Sequence, residues 1–76
     1  MEFYVIENKK GLYLYGNSNE DKFKFCKLNY AGESYALQGW FSAKQAKVAA
    51  DEVLGIKEYT IRKVVADEKD NIRIEV

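Results

Sequence analysis

Apolar and polar residues alternate along much of the N-terminal part of the chain. In "EFYVIE" (residues 2–7), Phe3 and Val5 fall on one face of an extended segment and Tyr4 and Ile6 on the other. "GLYLYG" (11–16) repeats the pattern, with Leu12 and Leu14 set against Tyr13 and Tyr15. The polar "NKKG" between them ends in a glycine free to take positive φ, which predicts a hairpin loop. "KFKFCKLN" (22–29) predicts a third strand, with Phe23 and Phe25 on one face and Lys22, Lys24 and Cys26 on the other. "YAGES" then predicts a turn about Gly32 into a short extended segment, "YALQGWF".

The period changes after Phe41. Ser42 is suited to cap a helix, and Gln45 three residues later completes a capping-box pattern, with Phe41 at the staple position. Ala43, Ala46, Ala49, Ala50, Val53 and Leu54 share one helical stripe, and Gly55 stands where a helix-ending glycine belongs. A stripe of small residues implies close approach to a sheet whose strands supply the bulk. "EYTIRKVVA" and "NIRIEV" predict two further strands around an acidic turn, "DEKDN". The expectation is an α+β fold forming a single domain over residues 1–76. Five or six mostly antiparallel strands carry one helix, at about residues 42–54, in the order β-β-β-(β)-α-β-β.

Charge adds little to this picture. Acidic and basic residues number 12 each, with five of each sign through Phe41 and seven of each beyond it. That balance argues against a strong phosphate footprint and against an acidic mimic of DNA. With 47% hydrophobic and 14% aromatic residues the chain reads as folded. The start, "MEFYVIENKK", does not read as a signal peptide, and no stretch is apolar enough to span a bilayer, so a cytoplasmic protein without membrane partners is expected.

Catalytic chemistry finds few materials. There is no histidine, and Cys26 is the sole cysteine, with no histidine to activate it. Paired carboxylates fall in turns or on the wet side of the helix, the glycines form no phosphate-cradling motif, and "DEKDN" lacks the length of a calcium loop. No metal, cofactor or enzymatic activity is expected.

Binding surfaces are the better lead. If the aliphatic faces turn inward, Tyr4, Tyr13 and Tyr15 gather on the sheet face away from the helix, where they form either a contact surface for a partner or a second small core covered by residues 30–40. Val48 falls on the charged side of the helix, flanked by Lys44, Asp51 and Glu52, charges that also oppose the helix dipole. For nucleic acid the candidates are Lys22, Lys24 and Lys27, although alternation sets Lys22 and Lys24 on the face opposite Phe23 and Phe25. A pocket holding a nucleotide between Trp40 and a tyrosine, and a homodimer through an edge strand, are further options.

Two resemblances bear on these alternatives. The span from "FYVIENKKGLYLYG" through "YALQGWFSAKQAKVAADEVLGIKEYTIRKV" resembles small proteins of unknown role from phages and prophages of Gram-positive bacteria. That resemblance implies a host-directed binding protein, for instance an inhibitor of a defence system. "GWFSAKQAKVAADEV" is similar to the strand-to-helix junction of integrase arm-type and AP2-like DNA-binding domains, matching at Gly39, Phe41, Ser42, Lys44 and Ala46. It implies a sheet that reads DNA. Against it, the strands here are not rich in basic residues, and a further hairpin follows the helix.

Overall fold

The computed structural model of the chain describes residues 1–17, 20, 22–30, 34–67 and 72–75. The predicted turn at Gly32 and most of the predicted turn at residues 67–71 lie outside the described residues. The architecture is α+β, a six-stranded antiparallel sheet carrying one helical segment. The strands are β1 (Glu2–Asn8), β2 (Tyr13–Asn17), β3 (Lys22–Cys26), β4 (Ala36–Leu37), β5 (Tyr59–Ala66) and β6 (Ile72–Glu75), with helix α1 (Ala43–Val48) between β4 and β5. The order across the sheet is β3-β2-β1-β5-β6, and β4 pairs with β2.

The first hairpin turns as its sequence dictates. Gly11 takes φ +80°, and the Asn8 side chain accepts hydrogen bonds from the backbone N–H groups of Lys10 (3.0 Å) and Leu12 (2.9 Å). Beyond this turn β1 and β2 separate. Their register is Glu7↔Tyr13, whereas Tyr15 and Gly16 pair with Leu37 and Ala36 of β4. Since β3 occupies the other edge of β2 and β5 the other edge of β1, residues 36–40 must wedge into the fork. Trp40 and Tyr4 exchange backbone hydrogen bonds of 2.8 and 2.9 Å across it.

Gly39 sits in this wedge against the Phe3 ring. A Cβ built there would lie 2.5 Å from Phe3 Cδ2, closer than atoms can approach, so Gly39→Ala must displace ring or backbone. The expected cost is about 1–3 kcal/mol, read as a melting temperature lower by at least about 4 °C. An unchanged melting temperature would show that the ring has room to move.

The helix begins as predicted. Ser42 caps it, accepting a 3.1 Å hydrogen bond from the Gln45 N–H. The staple does not form, because Phe41 is 86% exposed. Residues Ala49–Val53 then widen into a π turn, in which Leu54 N–H donates to Ala49 O, before Gly55 ends the segment at φ +64° and Ile56 N–H donates back to Ala50 O. Ala46 and Ala50 are fully buried against the sheet, as the stripe required. Val53 is instead 76% exposed, because the wider turn rotates it off a stripe laid out at 3.6 residues per turn. Ala43, in the first turn, is exposed as well.

Burial falls on both faces of the sheet. Under the helix, Ile6, Leu14 and Ala50 form a core against which Phe25, Trp40, Leu54, Ile56, Tyr59 and Ile61 pack. On the other face Val5, Val64 and Tyr15 are buried. β1 is therefore apolar on both sides, with Val5 and Ile6 each at 0% exposure.

Candidate protein-binding edge

The tyrosines do not form one surface. The register Glu7↔Tyr13 sets Tyr13 and Tyr15 on the face shared by Phe3, Val5 and Glu7, while Tyr4 lies with Ile6 on the helix side. Alternation had grouped Ile6 with the tyrosines, away from the helix. The structure reverses this, because both faces of β1 are apolar and hairpin pairing, not side-chain type, decides which face meets the helix. Tyr15 is only 3% exposed. Its ring packs edge-on against Tyr30 at 5.7 Å, its hydroxyl donates to Lys27 O (3.2 Å), and the same oxygen accepts from Tyr30 N–H (3.2 Å). For Tyr15 the second-core alternative holds, with Tyr30 as its cover.

Tyr13 is half-buried and donates to Glu7 Oε2 (2.9 Å), while Arg62 Nε donates to Glu7 Oε1 (3.0 Å). Burial, and then the hydrogen bond to the Glu7 carboxylate, hold the Tyr13 phenol above its ordinary pKa of 10.0. The folded state therefore keeps this proton longer than the unfolded chain does. The stabilisation is complete below pH 10 and is lost as pH rises through the folded value. Denaturation midpoints between pH 8 and about 11 should fall more gently for Tyr13→Phe than for the native protein. Parallel alkaline limbs would count against the contact.

β3 is one of the two edge strands, with β6 at the opposite end of the sheet. Among the described residues no strand pairs with the outer edge of β3. Phe23 and Phe25 point to the helix side, opposite Gly16 and Leu14, as alternation required. The Phe23 ring lies over Gly16, within 3.1 Å of where a Cβ would stand, yet remains 44% exposed. The helix packs chiefly on β1 and β5, and the end of the helical segment meets β3 through Leu54 and Ile56 beside Phe23 and Phe25. What remains beside β3 is a cleft of ≈ 320 Å³ whose apolar lining is Leu14, Phe23, Phe25, Leu54 and Ile56. A second cleft, ≈ 550 Å³, is lined by Leu12, Phe25, Cys26 and Leu28 together with Lys27, Asn29 and Tyr30. Phe25 borders both clefts, and the first gives β3 an apolar trough beside Phe23 and Phe25.

The other side of β3 is basic. Lys24 Nζ sits 4.4 Å from the Tyr30 ring centroid and 4.2 Å from that of Tyr35, and donates to the Tyr30 hydroxyl (2.8 Å). That hydrogen bond is the largest influence raising the Lys24 pKa above 10.5, so the group stays charged. Rings and lysine do share a face here, because Tyr30 and Tyr35 arrive from the segment after β3, which strand alternation does not describe. Lys22 is exposed, 3.7 Å from Glu20, and Lys27 is exposed next to the strand.

The remaining candidates lie elsewhere. Val48 is 43% exposed on α1, as expected of the charged side of the helix. On the π turn, Asp51 accepts from Lys47 Nζ (2.8 Å) and from the Tyr59 hydroxyl. These bonds lower the Asp51 pKa, the Lys47 contribution being the larger, and offset the clash of a carboxylate with the helix C-terminus. Trp40 packs against the core and lines neither cleft along β3. Among the described residues no group of three or more His, Cys, Asp or Glu is placed to hold a metal, and no helix is long and apolar enough to cross a membrane.

Taken together, fold and site define a small α+β domain with a strand edge unpaired among the described residues, beside an apolar trough. Comparison with protein-family models, with curated proteins and with solved structures finds no match to the chain.

Proposed function

We propose that this protein is a non-enzymatic binding module that captures an extended segment of a partner protein by adding it as a strand to the outer edge of β3. The observation that carries the reading is the conjunction of an open edge with the apolar trough beside it, with Phe23 44% exposed at its centre. Long unpaired edges next to apolar surface invite association, and main-chain pairing supplies affinity while the trough supplies selectivity. On the resemblance to phage and prophage proteins, the partner is a host protein in the cytoplasm, such as a component of a defence system. Contact residues on this reading are Phe23 and Phe25 with Leu54 and Ile56. Tyr15 is buried on the opposite face of the sheet, and Tyr4 and Tyr13 are not part of the surface.

The nucleic-acid alternative would use Lys22, Lys24 and Lys27. The balance of 12 basic and 12 acidic residues weighs against it, since a phosphate footprint draws on an excess of basic charge. Salt separates the two readings, because phosphate contacts release counterions and three of them lose about 40-fold in affinity from 50 to 200 mM salt. Capture of the partner should change far less than this over the same range. A loss of that size would favour the nucleic-acid reading.

A further inference from the structure

An added strand has alternating side chains, so the two sides of β3 specify different chemistries for its occupant. Residues of the incoming segment on the helix side enter the trough formed by Phe23, Phe25, Leu54 and Ile56. Those on the other side lie next to Lys22 and Lys24. The Lys22 side chain is 67% exposed, and the Lys24 ammonium is held in place by Tyr30 and Tyr35. Within the strand itself the charge is two lysines and no carboxylate.

A second copy of the chain is a poor occupant of this edge. Within residues 22–26, antiparallel self-pairing that keeps the phenylalanines on the trough side sets each paired lysine against a lysine or Cys26 of the other copy. Directly opposed like charges destabilise a sheet. We propose that the β3 edge takes an extended acidic–apolar segment of another protein, in which Asp or Glu alternates with aliphatic residues. Carboxylates then meet the lysine side while aliphatic groups fill the trough. This inference rests on the edge-strand reading given above.

The test is an amide-shift titration of the full chain with two capped heptapeptides, Glu-Val-Glu-Leu-Glu-Val-Glu and its counterpart with Lys for Glu. The acidic peptide should shift amides of residues 22–26 and 54–56, bind at least about tenfold tighter than the basic one, and weaken as salt rises. Lys22→Glu, at an exposed position, should narrow that preference while leaving the spectrum dispersed. If both peptides shift β3 with equal affinity, the acidic specification is wrong and the edge-strand reading stands. If neither shifts β3, or shifts appear on another face, both are overturned. Shifts at β3 that grow with protein concentration alone would replace the proposed occupant with a second copy.

Discussion

Replacing Tyr15 with alanine is expected to remove a large share of the protein's stability at neutral pH. The side chain is 3% exposed, stacks edge-on with Tyr30, and bridges Lys27 O and Tyr30 N–H through its hydroxyl. Truncating a buried aromatic costs about 3–5 kcal/mol, while a domain of this size carries roughly 0.05–0.15 kcal/mol per residue in total. Tyr15→Phe keeps the ring but leaves a half-buried N–H and carbonyl without that partner, a loss of about 1–3 kcal/mol. Urea denaturation followed by far-UV circular dichroism reads both. A Tyr15→Ala variant as stable as the native protein would mean that this face is open. From sequence alone, exchanging Tyr4, Tyr13 and Tyr15 together for alanine is expected to spare the fold. With Tyr15 in a core, the triple variant should not fold.

The second large effect concerns binding. Phe23→Thr removes the exposed ring from the trough while keeping a residue that suits a strand. Aromatic anchors at the centre of an interface carry about 2–4 kcal/mol, so the dissociation constant should rise roughly 30- to 1,000-fold. Phe41→Thr serves as the control. Phe41 is 86% exposed and lies outside the trough, so its loss should leave both affinity and stability close to native. Equal losses from the two variants would mean that exposed rings act through nonspecific adhesion.

Much of the fold was legible because local chemistry and tertiary structure agree. Strand alternation placed Phe23 and Phe25 opposite Lys22 and Lys24, Gly11 and Gly55 took the positive φ their positions asked for, and Ser42 capped the helix. Three features were not legible, each for a physical reason. β1 is apolar on both faces, so period two defined its faces without saying which meets the helix, a choice made by the pairing of Glu7 with Tyr13. The π turn has no sequence signature that a 3.6-residue stripe can detect, so Val53 was assigned to the buried side. The trough depends on helix placement. α1 packs over β1 and β5, and Phe23 on the helix side of β3 is left half-open where alternation alone would bury it. The signal available in advance was "KFKF" itself, in which lysines mark an edge strand.

The most direct measurement is capture from host-cell lysate treated with nuclease, run in parallel with the native protein and Phe23→Thr as bait. Strand addition at β3 predicts one protein retained by the native chain, in equal amount with and without nuclease, and lost with Phe23→Thr. Equal retention by both baits would contradict a site on β3, and retention abolished by nuclease would contradict a protein partner.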